Sequence, residues 1–277
     1  MQSQPEILPP LESGEPLRGA GFEPYPQPPR RRRRAGLRTA APATWFLVGV
    51  NCLVYLLMIA SGVSPTSPTV SQLLRWGANS GPYVLLGGQW WRLLTAAFVH
   101  AGIIHIATNM WCLWNLGLLG ESLLGGMGTI AVYILTGISG NLLSVALHPG
   151  VAGGPPGVVG VGASGAVFGL AGVLILLLKS PLLPVPASEL RQLRRSVIYF
   201  ALLNFLIGAS TLLFRSPIQI DNMAHLGGFL CGMAVGVPLV PRIGAPRSRF
   251  ILRQWVAFGG MIVLLLVCAF GIASFWR

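Results

Sequence analysis

Five polar residues stand inside long apolar stretches of this sequence and could do chemistry: His100, His105, Asn109, Ser164 and His225. Ser164 lies in Gly160-Val161-Gly162-Ala163-Ser164-Gly165-Ala166, after a Gly/Pro-rich loop and before an uncharged apolar run. Flanking glycines such as Gly162 and Gly165 let backbone or substrate approach closely. A Ser at a helix start also sits where free backbone N–H groups gather, which suits a developing oxyanion. The same residues equally read as a small-residue packing patch or an N-cap serine. His225 lies in Ala224-His225-Leu226-Gly227-Gly228, with Gly228, Gly232 and Gly236 at four-residue spacing. That stripe lets a helix press closely on a neighbour, with His225 one turn before it. Such a His is either a packed side chain bonded to a carbonyl or a general base for a buried Ser. His105 and Asn109 are four apart and share a helical face, so both can donate toward a common point.

Spacing disfavours other chemistries. His100 and His105 are five apart, about 140° around a helix, and the Glu of HExxH is missing, so a zinc protease is not expected. Lys179, the only Lys, is fifteen residues beyond Ser164. That is about 22 Å along a helix, too far for a Ser/Lys dyad. An α/β-hydrolase elbow needs Gly-x-Ser-x-Gly after a strand; position 166 is Ala and no strand is expected before it. A Ser–His pair remains. No metal and no organic cofactor is expected.

The elements that must position these residues are membrane spans. The 277-residue chain is 53% hydrophobic and only 9% charged, with mean hydropathy +0.68. About 25% charge is usual for a soluble domain, so an ordinary cytosolic protein is excluded. A spanning helix takes about 20 apolar residues. Seven runs qualify, roughly 44–63, 95–119, 127–148, 158–178, 196–214, 222–241 and 254–276, with Asp221 read as the only formal charge near any of them. The 64–94 stretch, rich in Pro, Gly and Trp, reads as a loop half-immersed at the interface. Residues 1–40 are rich in Pro, Gly and Glu and end on an Arg cluster, Arg30–Arg34 and Arg38, a composition expected to form a disordered basic tail. The Cys residues (52, 112, 231 and 268) lie in apolar segments without a CxxC pair, which favours neither disulfides nor zinc.

Charge placement gives an orientation. With the tail on the cytoplasmic side, only Arg75, Arg92, Arg215 and Arg277 of the 19 basic residues face outward. This positive-inside asymmetry explains the net charge of +12 without nucleic acid. The Arg30–Arg34 run also suits anionic lipid heads.

Taken together these residues resemble the rhomboid intramembrane serine proteases. The resemblance rests on Trp91-Arg92, His100…His105…Asn109, Gly162-Ala163-Ser164-Gly165, and Ala224-His225 followed by Gly228 and Gly232, in the family's order over roughly residues 45–240. It implies an all-α polytopic membrane protein with a six-helix core at 41–241. A cytoplasmic loop and a seventh helix at 242–277 would follow. It implies Ser164 as nucleophile, His225 as its base, and His105 with Asn109 on the oxyanion, with His100, Gly162 and Gly165 in support. Many members place Tyr four residues after the nucleophile; Phe168 here keeps the ring, stacked on the imidazole, and loses the hydroxyl. The expected activity is a serine endopeptidase acting on transmembrane or juxtamembrane segments of other membrane proteins. The expected location is the plasma (inner) membrane of a prokaryote, with the lipid bilayer and transmembrane substrates as partners. A catalytically silent rhomboid-like binding or quality-control protein is the alternative, and intact Ser164 and His225 speak against it. A transporter would show paired mid-membrane charges or broken helices, which are not evident.

Overall fold

Apolar runs of this length leave the backbone one way to satisfy its hydrogen bonds in hydrocarbon without a barrel, the α-helix. The computed structural model describes residues 41–151, 154, 157–183, 185–213, 220–241 and 246–276. The expected disordered tail at 1–40 lies outside the described residues. The helices are α1 (Pro42–Ala60), α2 (Val70–Arg75), α3 (Arg92–Thr95), α4 (Ile103–Leu147), α5 (Ser164–Leu177), α6 (Ala187–Leu213), α7 (Asn222–Leu239) and α8 (Arg247–Phe275). Among the described residues five, α1, α4, α6, α7 and α8, are long and apolar enough to cross a membrane. The fold is that of an all-α polytopic membrane protein.

The boundaries differ from the sequence reading in four instructive places. The second and third runs are one 45-residue element, α4, broken where Gly125 takes φ 76°. At 1.5 Å per residue α4 would be about 68 Å if straight, more than twice the ~30 Å hydrocarbon core, so the break divides it into two arms. Its first arm starts at Ile103 rather than 95, because 92–95 form the short α3 and Gly102, at φ 111°, turns the chain. The fourth run yields only the 14-residue α5. Its first residues go instead into β2 (Val159–Gly160), paired antiparallel with β1 (Asn79–Ser80), Asn79 opposite Gly160. A short strand therefore does precede Ser164, contrary to expectation, although it belongs to a two-residue ladder and not to an α/β sheet. Finally, 64–94 is more ordered than an interfacial loop, holding α2, β1 and a single π-helical turn at Pro82–Leu86.

Polar groups reading as isolated in sequence are paired across the bundle. Glu121, overlooked as a charge near the spans, sits buried inside α4. It accepts from Ala43 N (3.0 Å), Thr44 N (2.8 Å) and Thr44 Oγ1 (2.8 Å), so a carboxylate closes the positive end of α1. Arg92, counted as an outer surface charge, is also buried. It donates to Leu74 O (2.7 Å), Ala78 O (2.9 Å) and Gln89 Oε1 (2.7 Å), between the rings of Tyr83 and Trp91. One guanidinium thus ties α2 and the residue preceding β1 to α3. The extra helix α8 is fastened the same way. Gln254 Nε2 donates to Leu124 O (2.8 Å) at the α4 break, and Arg253 Nη1 donates to Pro238 O (3.2 Å) and Val240 O (3.1 Å) at the end of α7.

The centre of the bundle is α5, whose buried residues face all round, from Gly165 through Leu177. A helix apolar on every side is a buried helix. It lies against α4, α6 and α7. By contrast α6 and α8 expose Leu202, Leu206, Leu264 and Phe270, as surfaces turned to hydrocarbon.

Candidate active site

Small residues bring α5 and α7 together. A Cβ on Gly228 would stand 2.0 Å from Gly165 O, and one on Gly232 would stand 2.0 Å from Gly169 O. No side chain fits, so the two backbones touch along two turns. The stripe read from the sequence is a packing surface, and its partner is the turn that carries Ser164. A third backbone joins them: a Cβ on Gly140 of α4 would meet Ala224 O at 2.4 Å. Ala224, next to His225, is therefore held from two sides.

On this scaffold Ser164 is the first residue of α5, and the N-cap position is Ala163. The N-cap reading of Ser164 accordingly falls. Helix geometry leaves the N–H groups of this first turn without intrahelical acceptors. Phe168 follows one turn later on the same face. Its ring stacks on His225 at 4.3 Å between centroids and 14° between planes, so the Ser164 face of α5 is turned toward the first turn of α7. Both Phe168 and His225 are buried. No hydrogen bond joins Ser164 to His225 among the described residues; such bonds commonly tighten only when substrate is bound.

The other polar candidates gather at the turn before Ser164. Gly162 takes φ 111°, which favours glycine, and its N–H donates to Ala96 O (2.9 Å). A Cβ there would stand 2.8 Å from His105 Nε2 and 3.6 Å from Asn109 Nδ2. The two side chains thus converge on one point, as their spacing suggested. Hydrogen bonds assign their protons. His105 Nδ1 accepts from Ala101 N (3.3 Å), so in the neutral ring Nε2 carries the hydrogen and presents it at the Gly162 turn. Asn109 Nδ2 spends one hydrogen on His105 O (2.9 Å) and keeps a second. His100 has a different part. Its Nε2 accepts from Ala163 N (3.3 Å), which leaves Nδ1 to donate to Phe98 O (3.2 Å). Fully buried, it anchors the turn through the peptide before Ser164. Its ring lies edge-on to His105 at 5.3 Å. Among the described residues no group of three His, Cys, Asp or Glu side chains is placed to hold a metal.

Asp221 lies one turn before His225, a position that by sequence suits either a cap on the helix end or a third member orienting the imidazole, and its partners separate the two. It is the N-cap of α7, accepting from Met223 N (3.1 Å) and Ala224 N (3.0 Å) through Oδ1, while Oδ2 takes a short hydrogen bond from Ser144. His225 Nδ1 is buried with no hydrogen-bond partner. The carboxylate one turn away is committed to the helix end and does not reach the ring.

Sequence reading missed the polar groups behind this site. Asn141 Nδ2 donates to Leu93 O (2.9 Å), Asn79 Nδ2 to Asn141 O (3.0 Å), and Ser139 Oγ to Gly227 O (3.1 Å). They fasten α4 to α3, β1 and α7. The signal was present, since amides and hydroxyls in an apolar run need a partner.

Comparison with known proteins agrees with this arrangement. The family model for the Rhomboid domain matches residues 87–242, more than half of the chain. "Rhomboid protease GluP" of Bacillus subtilis (strain 168) is 28% identical over 224 residues, covering 80% of this chain and 40% of that protein. "RHOMBOID-like protein 2" of Arabidopsis thaliana is 33% identical over 72% of this chain and 62% of its own length. "Rhomboid-like protease 2" of Toxoplasma gondii is 30% identical over 68% of this chain and 62% of its own. The chain spans between 40% and 62% of the length of these curated relatives. The matched segment runs from before Arg92 to the end of α7 and so contains every residue of the turn, the close-packed helix pair and the stacked rings. This chain is a member of the rhomboid family, integral membrane proteins that include intramembrane proteases.

Proposed function

We propose that the chain is an active serine endopeptidase that cleaves transmembrane or juxtamembrane segments of other membrane proteins, using Ser164 and His225. The observation that carries this reading is the α5–α7 contact. It faces the Ser164 turn toward His225 and lays the imidazole flat on Phe168. His225 Nε2 takes the proton of Ser164 Oγ as the oxygen attacks the scissile carbonyl, and returns it to the leaving amine. The charge on the former carbonyl oxygen falls at the start of α5. There the first-turn N–H groups, His105 Nε2–H and the spare Asn109 N–H can donate to it. Water then hydrolyses the acyl-enzyme by the same path. The asymmetry of basic residues supports a cytoplasmic N-terminus, with the site toward the other face.

A serine-directed phosphonate probe tests the assignment. Wild-type protein in detergent should be labelled, with the adduct mapped to Ser164, and Ser164→Ala should not be. A folded wild-type protein that resists labelling would favour the catalytically silent alternative.

A dyad further predicts how the neighbours behave. Asn caps a helix about as well as Asp, so Asp221→Asn should keep α7 and leave turnover near wild type. Removing the stacked ring with Phe168→Ala gives up about 0.5–1.5 kcal/mol of ring contact and should slow turnover by about 2- to 10-fold. Steady-state kcat on both variants checks this. The opposite ranking would mean that Asp221 acts on His225 as a third member.

A further inference from the structure

The first third of α6 differs from the rest of the bundle surface. Seven of residues 187–196 are polar, among them Arg191, Arg194 and Arg195, whereas from Val197 to Gly208 only Tyr199 and Asn204 are polar. This change marks where the helix passes from water into hydrocarbon. One exposed stripe crosses the boundary. At 3.6 residues per turn Arg191, Arg195, Tyr199, Leu202 and Leu206 fall within an arc of about 80°. All five are exposed, the last three by 67%, 56% and 65%. The polar part holds a shallow depression of about 460 Å³ lined by Ser188, Arg191, Gln192, Arg195, Ser196 and Tyr199. Among the described residues neither guanidinium of the pair has an ion-pair or hydrogen-bond partner. Glu189, the one acidic residue of α6, lies about 160° around the helix from Arg191 and does not offset it.

Two unneutralised cations followed on the same face by an apolar strip are the complement of an amphiphile with an anionic head. We propose that this face of α6 binds an anionic phospholipid. Arg191 and Arg195 hold its phosphodiester, and an acyl chain lies along Tyr199, Leu202 and Leu206. Guanidinium groups bind phosphate oxygens bidentately, and Tyr favours the headgroup level. The occupant is a lipid because the strip continues about three turns below the cations, to Leu206, at a depth where a water-soluble partner has no access. The basic residues at the start of α8 offer no equivalent. Arg253 shares the four-residue spacing with Arg249 but is committed to Pro238 O and Val240 O, and Arg247 and Arg249 are two apart, about 160° around the helix, and cannot close on one phosphate.

Titration of the purified full-length protein in neutral detergent with short-chain phosphatidylglycerol, read by native mass spectrometry, tests the site. One lipid per chain should bind saturably, while phosphatidylcholine of the same chain length and inorganic phosphate should bind much more weakly. Arg191→Gln/Arg195→Gln should weaken binding about 30-fold, from the loss of two headgroup-facing charges. Arg247→Gln/Arg249→Gln should leave it close to wild type. The proposal is overturned if both pairs weaken binding equally, if phosphatidylcholine binds as tightly, or if the α6 double variant binds normally. Phosphate alone binding as well as the lipid would also overturn it. Should the α6 variant fail to fold, the three-ligand comparison on wild type still decides.

Discussion

Replacing Ser164 by alanine, or His225 by alanine, is expected to lower cleavage of a transmembrane substrate by on the order of 10⁴–10⁶-fold. The two residues would act as one unit, so the double variant should be no slower than either single one. The stability readout separates chemistry from structure. The Ser164 hydroxyl makes no hydrogen bond among the described residues and stands at a helix start, so Ser164→Ala should melt with the wild type. His225→Ala gives up its stack on Phe168 and should melt slightly lower. Cleavage assays and thermal melts on the same detergent preparations check both. Full turnover by Ser164→Ala would remove the serine mechanism.

The second large effect concerns the contact that joins the two helices. Gly228→Ala should both destabilise the protein and slow the surviving folded enzyme. By helix propensity alone the change gains about 1 kcal/mol. Here the new methyl would stand 2.0 Å from Gly165 O, so α5 and α7 must part. Overpacking of this kind costs about 1–3 kcal/mol, and a displacement near 1 Å at a reacting pair costs about 10²-fold in rate. Gly260→Ala on α8 is the control, because a Cβ there meets nothing within 4 Å. Melting temperature and kcat should fall together for Gly228→Ala and stay level or rise for Gly260→Ala. Equal behaviour of the two would mean that the helix contact does not position His225.

Some of this was readable from single residues and some was not, and the division follows the range of the interactions. Ser164, His225, His105 and Asn109 stood out because a polar group in an apolar run is conspicuous whatever surrounds it. The convergence of His105 and Asn109 was legible too, since a four-residue spacing fixes a common face of one helix. Asp221 shows the limit. Its place one turn before His225 allowed both a cap and a third catalytic member. Only its hydrogen bonds to Met223, Ala224 and Ser144, the last 77 residues away in sequence, separate the two.

Composition, run length and residue type by themselves determined that this is a polytopic helical membrane protein with a Ser and a His candidate on different spans. Those properties are local, governed by the cost of charge and of unpaired backbone in hydrocarbon. The tertiary structure alone decided that two runs form one element broken at Gly125 and that α5 starts late, at Ser164. It also decided that Glu121 and Arg92 are buried structural partners, and that the glycine stripe of α7 meets the Ser164 turn. Each of these depends on which surfaces meet. Helical period says which residues share a face but carries no information on the face opposite, and here backbone touches backbone because only glycine leaves room.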